Sequence, residues 1–77
     1  MSGPRGYGFI FMNVQINGEN KEIADGLSVG DLLEQLRIRA ARVVIERNRE
    51  IVSRDVYDDV FLAEGDTLEI VHFVGGG

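Results

Sequence analysis

Met12-Asn-Val-Gln-Ile-Asn-Gly-Glu-Asn-Lys-Glu-Ile23 is the stretch that decides how this chain folds. Met12, Val14 and Ile16 alternate with Asn13 and Gln15, the two-residue period of a strand with one buried face. Asn17-Gly18 then interrupts the alternation, and Glu19 to Ile23 resumes an extended, mostly polar run. Asn-Gly between two such runs signals a tight hairpin, because both residues accept the positive φ of a type I′ turn. The first two strands are expected on either side of it.

Beyond the hairpin the period changes. Ser28 precedes Val29, Leu32, Leu33 and Leu36, spaced i, i+3, i+4 and i+7, which predicts one short amphipathic helix over residues 29–37. Asp31, three residues after Ser28, stands in for the glutamate of a capping box. Val43-Val44-Ile45 is a β-branched run suited to a central strand, Glu46 to Glu50 turns the chain, and Ile51-Val52 makes a short fourth strand. Between Ser53 and Glu64 the pattern is irregular, with Val56, Tyr57, Val60, Phe61 and Leu62 as apolar anchors beneath a connection or short helical turn. Gly65-Asp66 marks a turn, and Thr67 to Phe73 is the last strand.

This order of elements predicts an α+β domain of the β-grasp (ubiquitin-like) type, a mixed sheet of four to five strands packed on one main helix. In that arrangement the first and last strands run parallel, side by side, at the sheet centre, and the chain end leaves from a rigid base. Residues 12–74 are assigned to this domain. Residues 1–11, with the only proline and an aromatic cluster at Phe9 to Phe11, read as an N-terminal extension, although Phe9 to Phe11 could lengthen the first strand. Gly75-Gly76-Gly77 reads as a flexible tail bearing a free carboxylate, thin enough to be threaded into a narrow site.

Seventy-seven residues make one small core and leave little room for a deep, water-excluding pocket. With no cysteine there is no disulfide, thiolate metal site or thiol nucleophile, and one histidine supplies neither a zinc cluster nor a Ser/His/Asp triad. A formal charge of −5 argues against a nucleic-acid footprint and suits a partner with a basic docking surface. No apolar run is long enough to span a bilayer, and the N-terminus lacks a signal-peptide pattern, so a cytoplasmic location is expected.

The segment Glu46-Arg-Asn-Arg-Glu-Ile-Val52, the turn Glu64-Gly-Asp66 and the ending Leu68-Glu-Ile-Val-His-Phe-Val-Gly-Gly-Gly77 resemble the ThiS family, the sulfur carriers of bacterial thiamine biosynthesis. The resemblance covers Met12 to Gly77. It implies a protein carrier, not an enzyme, with the reactive group at Gly77, unless the chain is trimmed to Gly76, and no cofactor of its own. An E1-like adenylyltransferase would use ATP to adenylate the Gly77 carboxylate, and a persulfide sulfur donor would convert it to a thiocarboxylate. Thiazole synthase would then take the sulfur into the thiazole ring. Three terminal glycines, where two are common, and Ser53, where similar sequences often have proline, are departures from the family pattern. Two alternatives stay open: a small subunit of the molybdopterin-synthase type, which typically has a proline before its glycines, and a ubiquitin-like binding or modifier module. Lys21 is the only lysine, which leaves chain-building poorly supported.

Alternation in the last strand puts Leu68 and Ile70 on one face and Glu69, Val71 and Phe73 on the other. With the first pair against the helix, Val44, Val71, Phe73 and Val74 are the expected partner-docking residues, on an apolar patch beside the tail. The competing expectation is that residues 53–64 fold over that patch. His72 has no evident orienting partner and is not read as a general base. Arg37, Arg39 and Arg42 read as complements to the helix C-terminus in preference to a phosphate site. Asp58, Asp59 and Glu64 read as solvating loop charges, with contact to a basic partner surface as the alternative.

Overall fold

The computed structural model describes residues 10–73. Strands β1 (Phe11–Ile16) and β2 (Glu19–Ala24) form the first hairpin, followed by helix α1 (Val29–Gln35). Strands β3 (Val43–Arg47) and β4 (Glu50–Val52) form a second hairpin, and β5 (Thr67–His72) completes one five-stranded sheet in the order β2-β1-β5-β3-β4. β5 is parallel to β1, with Gln15 opposite Thr67 and Ile16 opposite Leu68, and antiparallel to β3. The expected β-grasp layout holds, with the last strand at the centre of the sheet.

Both hairpins turn on two residues. Asn17 and Gly18 have φ of 51° and 84°, the type I′ geometry expected from Asn-Gly. Asn48 and Arg49 repeat it at 52° and 73°, although Arg49 has a Cβ that the left-handed region disfavours.

One face of the sheet carries Met12, Val14, Ile16, Ile23, Val43, Ile45, Leu68 and Ile70, all buried against Val29, Leu32 and Leu33 of α1. The capping box forms as expected: Ser28 Oγ accepts from the Asp31 N–H at 3.0 Å, and the Ser28 N–H donates to Asp31 Oδ2 at 3.1 Å. Backbone N–H groups at Val29 and Gly30, which an isolated helix leaves unsatisfied, donate to the carbonyls of Val60 and Tyr57 at 2.9 and 3.0 Å. The segment after β4 is thereby tied to the start of α1, and it buries Tyr57 and Leu62 in the core.

Two expectations are corrected, at the end of the helix and at Phe61, and two open alternatives are decided. β1 begins at Phe11, paired with Ala24, one residue before Met12. The helix stops at Gln35, short of residue 37: Leu36 is its C-cap and Arg37 turns left-handed at φ 60°. Phe61 is no core anchor; it is 57% exposed, because its neighbours Val60 and Leu62 are the residues that bond to Val29 and Leu27. Residues 53–64 send Tyr57 and Leu62 into the core on the helix side of the sheet, and among the described residues none covers the opposite face at Val71 and Phe73.

Candidate functional site

The open sheet face takes its character from cross-strand pairing. Val44 on β3 sits directly opposite Val71 on β5, and both point away from α1 because Val43, Ile45 and Ile70 fill the core. Val71 is 54% exposed and Phe73 56%. The Phe73 N–H donates to the Arg42 carbonyl at 2.9 Å, so the sheet holds the backbone as far as the last described residue. Of the docking residues expected from sequence, Val44, Val71 and Phe73 therefore converge; Val74 lies outside the described residues, as do Gly75, Gly76 and Gly77.

Ile51 extends the patch and was not foreseen. Its partner on β3 is Glu46, which pairs in turn with Glu69, and 71% of Ile51 is accessible. Carboxylates of Glu46 and Glu69 thus share one row with Ile51, beside the row made by Val44 and Val71. The two-residue turn at Asn48-Arg49 fixes the register of β4 and hence the face that Ile51 occupies, and no glycine marks that turn in the sequence. Phe11 is also exposed, but the parallel register places it roughly 30 Å from Phe73, at the other end of the sheet.

The central strand is positioned by the turn residues of both hairpins. Asn17 Oδ1 accepts from the Ile70 N–H at 2.8 Å, and the Asn17 N–H donates to the Leu68 carbonyl at 2.9 Å. Asn48 does the same from the other side: its N–H donates to the Thr67 carbonyl at 2.7 Å and its Oδ1 accepts from the Thr67 N–H at 3.0 Å. Asp66, buried just before β5, accepts from Arg47 Nε at 2.8 Å, Asn48 Nδ2 at 3.0 Å and the Ala63 N–H at 2.8 Å. Burial raises the Asp66 pKa, but the hydrogen bonds from Asn48, Arg47 and Ala63, together with the Arg47 charge, outweigh it and leave the carboxyl below its ordinary value.

On the opposite side of β5 from Val71 and Phe73, Arg37, Ile38, Arg39, Arg42 and His72 line an open concavity of about 390 Å³. The arginines do not extend the last turn of α1, which carries no basic residue. Nor do their side chains hydrogen-bond to the helix carbonyls. Asp58 and Asp59 are exposed, whereas Glu64 Oε1 accepts from the Asn13 N–H at 2.8 Å and so has a structural role. Among the described residues there is no group of acidic and histidine side chains arranged to hold a metal ion, and no helix is long and apolar enough to cross a membrane.

This arrangement places an apolar surface at the end of a firmly held strand that runs toward the glycines. Residues 14–77 match the model of the ThiS family. The chain is 42% identical over 65 residues to the sulfur carrier protein ThiS of Bacillus subtilis, covering 83% of this chain and 98% of that one. It is also 42% identical over 66 residues to the thiazole synthase of Paramagnetospirillum magneticum, covering 86% of this chain but only 20% of that longer protein. The crystal structure of the thiamine biosynthesis protein ThiS from Geobacter metallireducens superposes with a TM-score of 0.73 at 36% identity, covering 86% of this chain and all of that one. Sequence and fold agree that the chain belongs to the ThiS family.

Proposed function

We propose that this sulfur carrier of thiamine biosynthesis works through its own chain end, with the Gly77 carboxylate as the group that is activated and loaded. The observation that carries this reading is the apolar patch in which half-buried Val44 of β3 and exposed Ile51 of β4 adjoin exposed Val71 and Phe73, the last two on the segment that leads into Gly75, Gly76 and Gly77. A carboxylate is a poor electrophile. An adenylyltransferase that binds the patch would transfer AMP from ATP to the Gly77 carboxylate, releasing pyrophosphate and leaving an acyl carbon with a good leaving group. Attack by a persulfide expels AMP and forms an acyl disulfide. A second thiol of the donor system then cleaves the S–S bond and frees the thiocarboxylate.

The carrier contributes placement and binding, and the chemistry belongs to its partners. Thiazole synthase is the proposed acceptor of the sulfur. The region of the P. magneticum thiazole synthase that matches this chain supports that pairing, since carrier-like and synthase sequences there belong to one polypeptide.

Incubation with the cognate adenylyltransferase, ATP and a sulfur donor, followed by intact mass measurement, tests the reading. Oxidation of Met1 or Met12 nominally mimics the exchange of oxygen for sulfur, so the product is confirmed with a thiocarboxylate-selective alkylating reagent. An ATP-dependent, alkylatable adduct on the full chain, missing from a chain lacking Gly76 and Gly77, is the expected result. No adduct from an enzyme of demonstrated activity overturns it.

A further inference from the structure

The basic concavity beside β5 is a local exception on an acidic protein. Thirteen acidic side chains outnumber eight basic ones, yet Arg37, Arg39 and Arg42 are exposed together around one hollow with His72. Among the described residues the ion pairs are Lys21 with Glu19 and Arg47 with Asp66; none involves these three guanidinium groups. Backbone geometry gathers them. Arg37 turns left-handed after α1, a 3₁₀ turn over Ala40–Arg42 brings Arg42 back with its N–H on the Arg39 carbonyl, and Val43 then pairs with His72.

We infer that this concavity docks an acidic segment, presenting several Asp or Glu side chains, on the surface of the thiazole synthase that receives the chain end; the inference rests on the carrier reading above. Guanidinium groups suit carboxylates because their planar forks donate two parallel hydrogen bonds. A small free anion fits the site less well. The hollow is open to solvent, and the N–H groups of Arg37, Ile38 and Arg42 are already bonded to the carbonyls of Glu34, Leu33 and Arg39. What remains is a set of spaced side-chain donors, matched by spaced carboxylates.

Charge and position both favour a protein partner that approaches along β5. An acidic partner surface repels the rest of this molecule and attracts this end, so the encounter is oriented with the tail toward the partner. His72 lies on one side of the strand and Val71 and Phe73 on the other, so one partner straddling β5 touches the arginines and the apolar patch together.

The test is binding of the full chain to thiazole synthase across a series of salt concentrations, for the wild type and for a variant carrying Arg37→Asn, Arg39→Gln and Arg42→Gln. Asparagine is chosen at position 37 because it tolerates the left-handed backbone there. Wild-type affinity is expected to fall as salt rises. The variant, with an unchanged thermal melt, is expected to bind about ten-fold more weakly at low salt and with a flatter salt dependence. Equal affinity and equal salt dependence of the two proteins overturns the inference while the carrier reading stands. Failure of the folded wild type to bind thiazole synthase at any salt overturns both the inference and the proposed acceptor, whereas thiocarboxylate formation tests loading at Gly77 separately. A wild-type amide spectrum that shifts with inorganic phosphate at these arginines, alongside undiminished binding of the variant to the enzyme, identifies a small-anion site and also overturns the inference.

Discussion

Asn17 acts on Ile70 across 53 positions of sequence, its side-chain Oδ1 accepting the Ile70 N–H at 2.8 Å while Nδ2 lies 3.4 Å from the Ile70 carbonyl. β1 has ended by this point, and the amide of one turn residue continues its hydrogen bonding for one more position along β5. Val71 and Phe73 follow at once. A side chain chosen for a tight turn thus also anchors the strand that presents the apolar patch.

Replacing Asn17 with glycine keeps the positive φ and removes only this bridge. Stability in urea is expected to fall by about 1 kcal/mol, the net value of a typical hydrogen bond. Amide exchange at Ile70 should accelerate, whereas Asn17→Asp, which keeps the acceptor, should preserve its protection. Wild-type exchange at Ile70 in the glycine variant would show that the bridge contributes nothing.

Asp66 gives the fold an acid-sensitive point. Its folded pKa is lowered, so its contribution to stability is present above the unfolded carboxyl value and is lost as pH falls through the folded value. The window therefore lies below about pH 4. Asp66→Asn is expected to cost about 1–3 kcal/mol at neutral pH, from hydrogen bonds to a charged group, and to flatten the loss of stability on acidification. Parallel acid melts of the two proteins, with wild type and variant falling along the same slope, would contradict this.

Phe73→Asp and Ile51→Asp place charge on the open sheet face. Both side chains are more than half exposed, so circular dichroism and melting temperature should change little. Binding to the adenylyltransferase should weaken by about ten-fold or more for Phe73→Asp, as for an apolar anchor at an interface. If the Phe73 variant fails to fold, Phe73 is a core residue and the patch is smaller than described.

Arg49 holds a backbone conformation that suits glycine. Arg49→Gly should stabilise the second hairpin by about 0.5–1 kcal/mol, because type I′ turns favour glycine at this position. A lower midpoint in denaturant would mean that the arginine side chain contributes more than its backbone strain costs.

The sequence showed most clearly what depends on local chemistry. Asn17-Gly18 announces its hairpin because glycine follows the asparagine; Asn48-Arg49 forms the same turn without that mark, so only a change of direction was legible there. The faces of β5 followed from alternation, and with them Val71 and Phe73. Ile51 was hidden because its face depends on the register of β4 against β3. The end of α1 was overrun because Leu36 continues the apolar spacing, although the helix stops before it and leaves it 39% exposed. Clustering of Arg37, Arg39 and Arg42 was visible in the sequence, but their spacing has no helical or strand period; a left-handed residue and a 3₁₀ turn create the concavity.

The parallel pairing of β1 with β5 also decides how the protein bears load. β1 enters at one end of the sheet and β5 leaves at the other, so a pull along β5 draws that strand lengthwise past its neighbours. The cross-strand hydrogen bonds lie across that pull and resist it together, in shear, instead of opening one at a time like a zipper. A pull along β5 is therefore shared by many bonds at once, and the body keeps its shape under a load that would open a hairpin from its end.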